Sequence, residues 1–129
     1  MANQRELNPN IRIKRLNSLP IYVSAKLFAA EIYKLTEKFP QTEKYGMVSQ
    51  LRRAAASIGA NIAESQGRKT KKDQASFLII ARGSLSESIF FLDLALSVKI
   101  ISPEDVDYIL KVSTDLVIKI QNLNNYLNK

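Results

Sequence analysis

The chain has 129 residues, 46% of them apolar, with 19 Lys/Arg against 12 Asp/Glu for a formal charge of +7. Cysteine and histidine are both absent, which excludes a disulfide framework, thiolate metal sites, and the commonest general base and metal ligand. The length bounds the chain to one domain with a working core. With no unbroken apolar run of transmembrane length, and no apolar signal-peptide core in MANQRELNPN, the expectation is a soluble cytoplasmic protein without a membrane partner.

Residues 1–17 read as a flexible N-terminal tail, with a brief alternation at Ile11-Arg12-Ile13, and residues 18–129 as the folded domain. The first helix covers about Leu19–Phe39. Its Ile21, Ala25, Phe28, Ile32, Leu35 and Phe39 step by 4, 3, 4, 3 and 4 along one face, and Pro40 ends it by forcing the preceding residue out of the helical region.

The second helix runs from about Glu43 to Gln66, capped by Thr42 and closed by Gly67 in the left-handed conformation. Leu51, Ala55, Ile58 and Ile62 form its apolar stripe. A wholly polar stripe, Arg53, Ser57, Asn61, Glu64 and Arg68, repeats beside it, with Glu64 and Arg68 placed to pair at i,i+4. An ordinary surface helix would fill such a stripe with interchangeable Lys and Glu; this one holds small hydrogen-bonding groups.

The third helix begins after Thr70, whose hydroxyl caps it with Asp73 reaching back, and continues to about Lys99. Leu78, Ala81, Leu85, Leu92 and Ala95 make one apolar stripe. Phe77, Ile80, Phe91, Leu94 and Val98 make a second, with Ile89 and Phe90 beside it. A helix of a lone bundle shows about one apolar face, so the second stripe implies association of subunits; the competing interpretation is that the excess caps the bundle core. The fourth helix opens at Ser102-Pro103-Glu104-Asp105, an N-cap, a first-turn proline and acids favoured by the dipole. Val106, Ile109, Ser113, Leu116, Ile120, Leu123 and Leu127 follow with alternating steps of 3 and 4.

These steps average 3.5, the period of a left-handed supercoil. Helices of about 20–29 residues are roughly 30–43 Å long, and their short connections force neighbours to be antiparallel. The expected fold is all-α, an antiparallel up-down-up-down four-helix bundle. In that topology the charge asymmetry becomes spatial. Residues 1–72 carry 14 Lys/Arg against 5 Asp/Glu, a net of +9, whereas residues 73–129 carry 5 against 7, a net of −2. Arg12, Lys14, Arg15, Arg68, Lys69, Lys71, Lys72 and Lys129 gather at one pole, and the opposite pole, with Glu37, Lys38, Glu43, Lys44, Glu104, Asp105 and Asp107, is mixed to acidic. A basic pole points to the phosphate backbone of RNA or DNA, against the simpler alternative of solubility. Tyr22 and Tyr126 fall near that end, but no stacking platform is evident.

The segments Gln50-Leu51-Arg52-Arg53-Ala54-Ala55-Ala56-Ser57-Ile58, Asn61-Ile62-Ala63-Glu64 and Gly67-Arg68 resemble the signature of the 23S rRNA intervening-sequence proteins. Further matches are Ala81-Arg82-Gly83-Ser84-Leu85-Ser86-Glu87, and Ile32-Tyr33-Lys34-Leu35-Thr36 with Phe39-Pro40. The resemblance covers about Ile21 to Leu127. It implies a bacterial, ribosomal-protein-like four-helix bundle that assembles into a homopentamer and has no enzymatic activity or cofactor. A similar bundle is the accessory protein of diversity-generating retroelements, which binds nucleic acid and a reverse transcriptase. The chain departs from the pattern at Ser65, where glycine usually follows Ala-Glu, and at Lys99, where glycine often closes the third helix.

The resemblance also gives the polar stripe a role: Arg53, Ser57, Asn61, Glu64, Ser84 and Glu87 form a network between helices or subunits, with Gly83 and Ser84 allowing close approach. The alternative is a solvated polar face. For function, a homo-oligomeric RNA- or DNA-binding accessory protein stands against a protein–protein scaffold without nucleic-acid binding. Bundle metal enzymes need Glu-x-x-His pairs, and without histidine neither a catalytic residue nor a metal ligand is assigned.

Overall fold

A computed structural model describes residues 8–129, and every element among them is helical. The helices are α1 (Pro9–Asn17), α2 (Pro20–Thr36), α3 (Met47–Gln66), α4 (Lys71–Ser97) and α5 (Pro103–Leu127), with a short 3-10 turn at Gln41–Glu43. In the packing, α3 lies against α2 and α4, α5 lies against α4 and α2, and α1 lies against α2.

Helix α1 occupies most of the stretch expected as a tail; residues 1–7 of that expectation lie outside the described part. Two local devices start it: the Asn8 side chain accepts from the Asn10 N–H at 2.9 Å, and Pro9 occupies the first turn. No residue of α1 is buried. With so little periodic apolar signal, its caps were the readable clue.

The periodic faces become the core. Phe28, Ile32, Leu51, Ala55, Ile58 and Ile62 are fully buried, joined by Leu78, Ala81, Leu92 and Ala95 of α4 and by Leu116 and Ile120 of α5. By length and composition alone α4 could cross a membrane, although charged and polar residues interrupt its apolar sequence. Its first stripe is buried in this core. Of its second stripe, Ile80 and Val98 are exposed while Phe77, Phe91 and Leu94 are half-buried; Ile89 and Phe90 beside it are exposed.

Boundaries differ where turn chemistry overrides the pattern. Helix α3 starts at Met47, four residues later than expected, and Thr42 does not cap it. Instead the Glu43 carboxylate accepts from the Met47 N–H at 3.1 Å. Gly46 sits at the helix start, where a Cβ would stand 3.0 Å from that same carboxylate. Gly67 keeps a right-handed conformation (φ −85°) rather than the left-handed one expected, and the Gly67 and Arg68 N–H groups bond to the Glu64 and Ser65 carbonyls. At the start of α4 the Thr70 hydroxyl accepts from the Asp73 N–H, and at the start of α5 Ser102 and Asp105 form a complete capping box.

The left-handed residue is Lys99, at φ 64°. Around it the Ile100 N–H bonds to the Ala95 carbonyl and the Lys99 N–H to that of Leu96, the paired bonds of a Schellman C-cap. That backbone costs a residue with a side chain roughly 1–2 kcal/mol, an advantage that glycine's larger unfolded-state entropy partly cancels. Lys99→Gly is therefore expected to raise stability by about 1 kcal/mol and the melting temperature by a few degrees. A thermal melt showing no gain would mean that the cap is not formed in solution.

Candidate nucleic-acid interface

The turn between α3 and α4 holds the densest cationic sequence, Arg68 to Lys72, and four interactions fix its shape. Ser65 is almost fully buried, and its hydroxyl donates to the Gln74 carbonyl at 3.0 Å. The Gln74 amide donates to the Arg68 carbonyl at 2.9 Å. Arg68 pairs with Glu64 at 2.7 Å, as its i,i+4 spacing predicts, and its guanidinium lies 4.5 Å from the centroid of the Phe77 ring. Ser65, a departure from the family pattern, thus ties the end of α3 to the start of α4 by a bond that glycine cannot make.

The four cations of this turn differ in what they do. Arg68 is engaged by both Glu64 and Phe77. Lys69 and Lys72 are exposed and make no ion pair among the described residues. Lys71 is exposed, with its ammonium 4.6 Å from the centroid of the Tyr126 ring at the end of α5. Lys71 and Lys72 stand in the first turn of α4, where the macrodipole disfavours each cation by a few tenths of a kcal/mol.

Other polar contacts join α2 to α5. The Ser24 hydroxyl, near the start of α2, donates to Asp115 at the middle of α5 at 2.7 Å. Hydrogen bonds from Lys119 and then Ser24 hold the Asp115 carboxyl below the usual carboxylate range. Arg12, Lys14 and Arg15 are exposed on α1. Their helix packs on α2, and Lys26 of α2 donates to the Asn17 side chain at its end. No ion pair or hydrogen bond among the described residues joins those three cations to the Arg68–Lys72 turn. Away from this end, Lys38 pairs with Asp105 at 3.0 Å, and that bond, reinforced by the Ser102 N–H, lowers the Asp105 pKa.

The polar stripe divides. The Asn61 amide donates to the Ser57 carbonyl (2.8 Å) and hydroxyl (3.0 Å), and the Ser84 hydroxyl of α4 donates to the Ser57 hydroxyl at 2.9 Å. Ser57, Asn61 and Ser84 therefore make an α3–α4 link within one chain. The other three do not join it. Arg53 donates to Gln50, Glu64 pairs with Arg68, and Glu87 is exposed. Gly83, expected to permit close approach, has nothing within 4 Å of where a Cβ would stand. Ser88 was not singled out from the sequence; it is fully buried and donates to the Ser84 carbonyl. Its spacing, seven residues from Ala81 and four from Leu92, placed it in the apolar stripe. Among the described residues no group of three or more Asp and Glu side chains gathers as a metal site.

A small, all-helical protein with one cationic helix junction is the class that these features define. The chain belongs to the 23S rRNA-intervening sequence protein family, whose model matches residues 17–127. It is similar to a crystal structure of a protein of unknown function from the S23 ribosomal protein family of Bacteroides thetaiotaomicron. The two are 24% identical over 83% of this chain and 94% of that one, with a TM-score of 0.66. At that identity the likeness shows the fold alone. No curated protein matches the sequence.

Proposed function

We propose that this protein is a non-enzymatic, homo-oligomeric accessory protein that holds an RNA or DNA backbone at the basic end formed by Lys69, Lys71 and Lys72. The observation that carries this is the exposure of these three lysines on a braced turn, two of them, Lys71 and Lys72, in first-turn positions that the helix dipole opposes. A phosphate placed there meets α4 N–H groups and lysine ammoniums together. Arg12, Lys14 and Arg15 extend the contact along α1, and Arg68 acts mainly as the brace of the turn.

The proposed architecture is an antiparallel up-down-up-down bundle of α2 to α5. Supporting it are the cyclic order of helix contacts and the paired bonds Ser24–Asp115 and Lys38–Asp105, which join the first turns of α2 to the middle of α5 and the residues just past the end of α2 to the start of α5. That arrangement sets the starts of α2 and α4 beside the ends of α3 and α5. A cytoplasmic location and a partner such as a reverse transcriptase belong to the same proposal.

Assembly is proposed to use the exposed second face of α4, where Phe90 is 58% exposed and packs edge-on against Phe91 at 5.4 Å. Light scattering is expected to give a mass several times 14.5 kDa, with a pentamer the stoichiometry that the family resemblance implies. Phe90→Glu should reduce it to the monomer; a monomeric native protein would remove this part of the proposal.

Binding is tested by titrating salt against labelled RNA and DNA with the native protein and with a variant in which all three lysines are glutamine. A scaffold without nucleic-acid affinity, the competing function, retains neither at physiological ionic strength.

A further inference from the structure

We infer that the polynucleotide taken by the basic end is single-stranded, with the Tyr126 ring as the platform for one base and Lys71 as the adjoining phosphate contact. This inference rests on the backbone-binding function proposed above and narrows its ligand.

Tyr126 lies in the last turn of α5, where its neighbour Leu127 is buried while Tyr126 itself is 55% exposed. An aromatic ring so placed contributes little to the core. What it does touch is the Lys71 ammonium, 4.6 Å from its centroid, so an exposed π face and a cation adjoin one another next to Lys69 and Lys72. The other two cation–ring pairs near this end are built differently. Phe77 is half-buried beneath an Arg68 already paired to Glu64. Tyr22 is also half-buried, with Lys26 farther off at 5.7 Å.

The two chemistries of this pair match the two parts of a nucleotide. An ammonium takes a phosphate, and an aromatic face takes a base by stacking, which is tolerant of sequence. A duplex satisfies only the first, because its bases are stacked on each other and present only their edges in the grooves. A single strand offers both. Lys71 rests against the ring in the free protein and turns to the phosphate when a base covers that ring.

The test uses the full chain with oligo(dT) and oligo(U) of about 12 nucleotides, within the site sizes of small single-strand binding domains. An abasic oligomer of equal phosphate number and a duplex of equal length are the comparison ligands. The native protein is expected to bind the abasic oligomer about tenfold more weakly than oligo(dT), a comparison that needs no variant. Tyr126→Leu should weaken oligo(dT) and oligo(U) by about the same factor and leave duplex and abasic binding unchanged, while Tyr126→Phe retains native affinity. Loss on only one of the two single strands would assign the site to DNA or to RNA. Equal losses on single strands and duplex, or no loss at all, would overturn the inference. A native protein that binds oligo(dT) and oligo(U) and depends on its lysines but not on Tyr126 leaves the proposed function standing and removes this narrowing. A native protein that retains no nucleic acid removes both.

Discussion

Replacing Phe28 with alanine is expected to lower the unfolding free energy by about 3–5 kcal/mol, the range for emptying a buried aromatic site. Phe28 is fully buried at the middle of the α2 face, in one core with residues of α3, α4 and α5. The cost combines lost transfer energy with the cavity left where close-packed neighbours cannot follow. Against a total stability of about 5–15 kcal/mol for an ordinary domain, the variant has little margin and its denaturant midpoint falls steeply. Tyr33 on the same helix is 46% exposed, but Arg52 lies over its ring at 4.6 Å, so it is a poor control. Val23, 41% exposed, is a better one, and Val23→Ala should change stability by less than about 1 kcal/mol. Both are to be measured by urea unfolding at one protein concentration, since association couples stability to concentration. A Phe28 effect as small as that of Val23 would mean that α2 does not dock on the core by this face.

The difference between those two positions is legible from spacing alone, as are the all-helical class and the buried faces of the long helices. Ala25, Phe28, Ile32 and Leu35 on α2, and Leu51, Ala55, Ile58 and Ile62 on α3, are buried as their steps of 3 and 4 require. The α5 start was equally readable, because Ser102 and Asp105 make a motif whose partners are three residues apart. What escaped was structure decided by backbone geometry or by distant partners. Lys99 adopts a left-handed conformation that ordinary propensity assigns to glycine. The start of α3 is displaced by a 3-10 turn and a Glu43 side chain folded over Gly46. Helix α1 carries little periodic apolar signal, because none of its residues is fully buried.

The candidate interface was half legible for the same reason. A run of cations shows in any sequence, but its division into a braced Arg68 and exposed Lys69 and Lys72 depends on Glu64, Phe77 and Gln74 meeting it in space. The contact of Lys71 with Tyr126 joins opposite ends of two helices, and no local pattern encodes it. Likewise the polar stripe is visible as a stripe, but the only hydrogen bond its side chains make to α4 among the described residues is Ser57 with Ser84; Asn61 adds to Ser57 within α3, Glu64 pairs with Arg68, and Glu87 joins neither.

Converting Lys69, Lys71 and Lys72 together to glutamine is expected to weaken nucleic-acid binding about 100-fold near physiological salt. Each phosphate contact contributes close to one unit to the slope of log K against log salt, so three lost contacts flatten the slope by about 2–3 units. Extrapolated from the molar reference to about 0.15 M, that slope change amounts to roughly two decades of affinity. Glutamine keeps the length and helix propensity of lysine, and all three side chains are exposed, so the fold should survive; relief of two first-turn cations offsets loss of the Lys71–Tyr126 contact, and stability should change by less than about 1 kcal/mol. Loss of binding with stability nearly unchanged separates an interface role from a structural one, since a structural lysine would lose both. The loss should be similar for all sequences, because phosphate contacts position a ligand without reading its bases. The same substitution at Arg68 should behave oppositely. Arg68→Gln removes the Glu64 pair and the Phe77 stack, so it loosens the α3–α4 turn while removing a cation already offset by a carboxylate, and its effect on the salt slope should be below one unit. An unchanged slope in the triple variant, beside a clear loss for Arg68→Gln, would move the contact from the three lysines to the arginine.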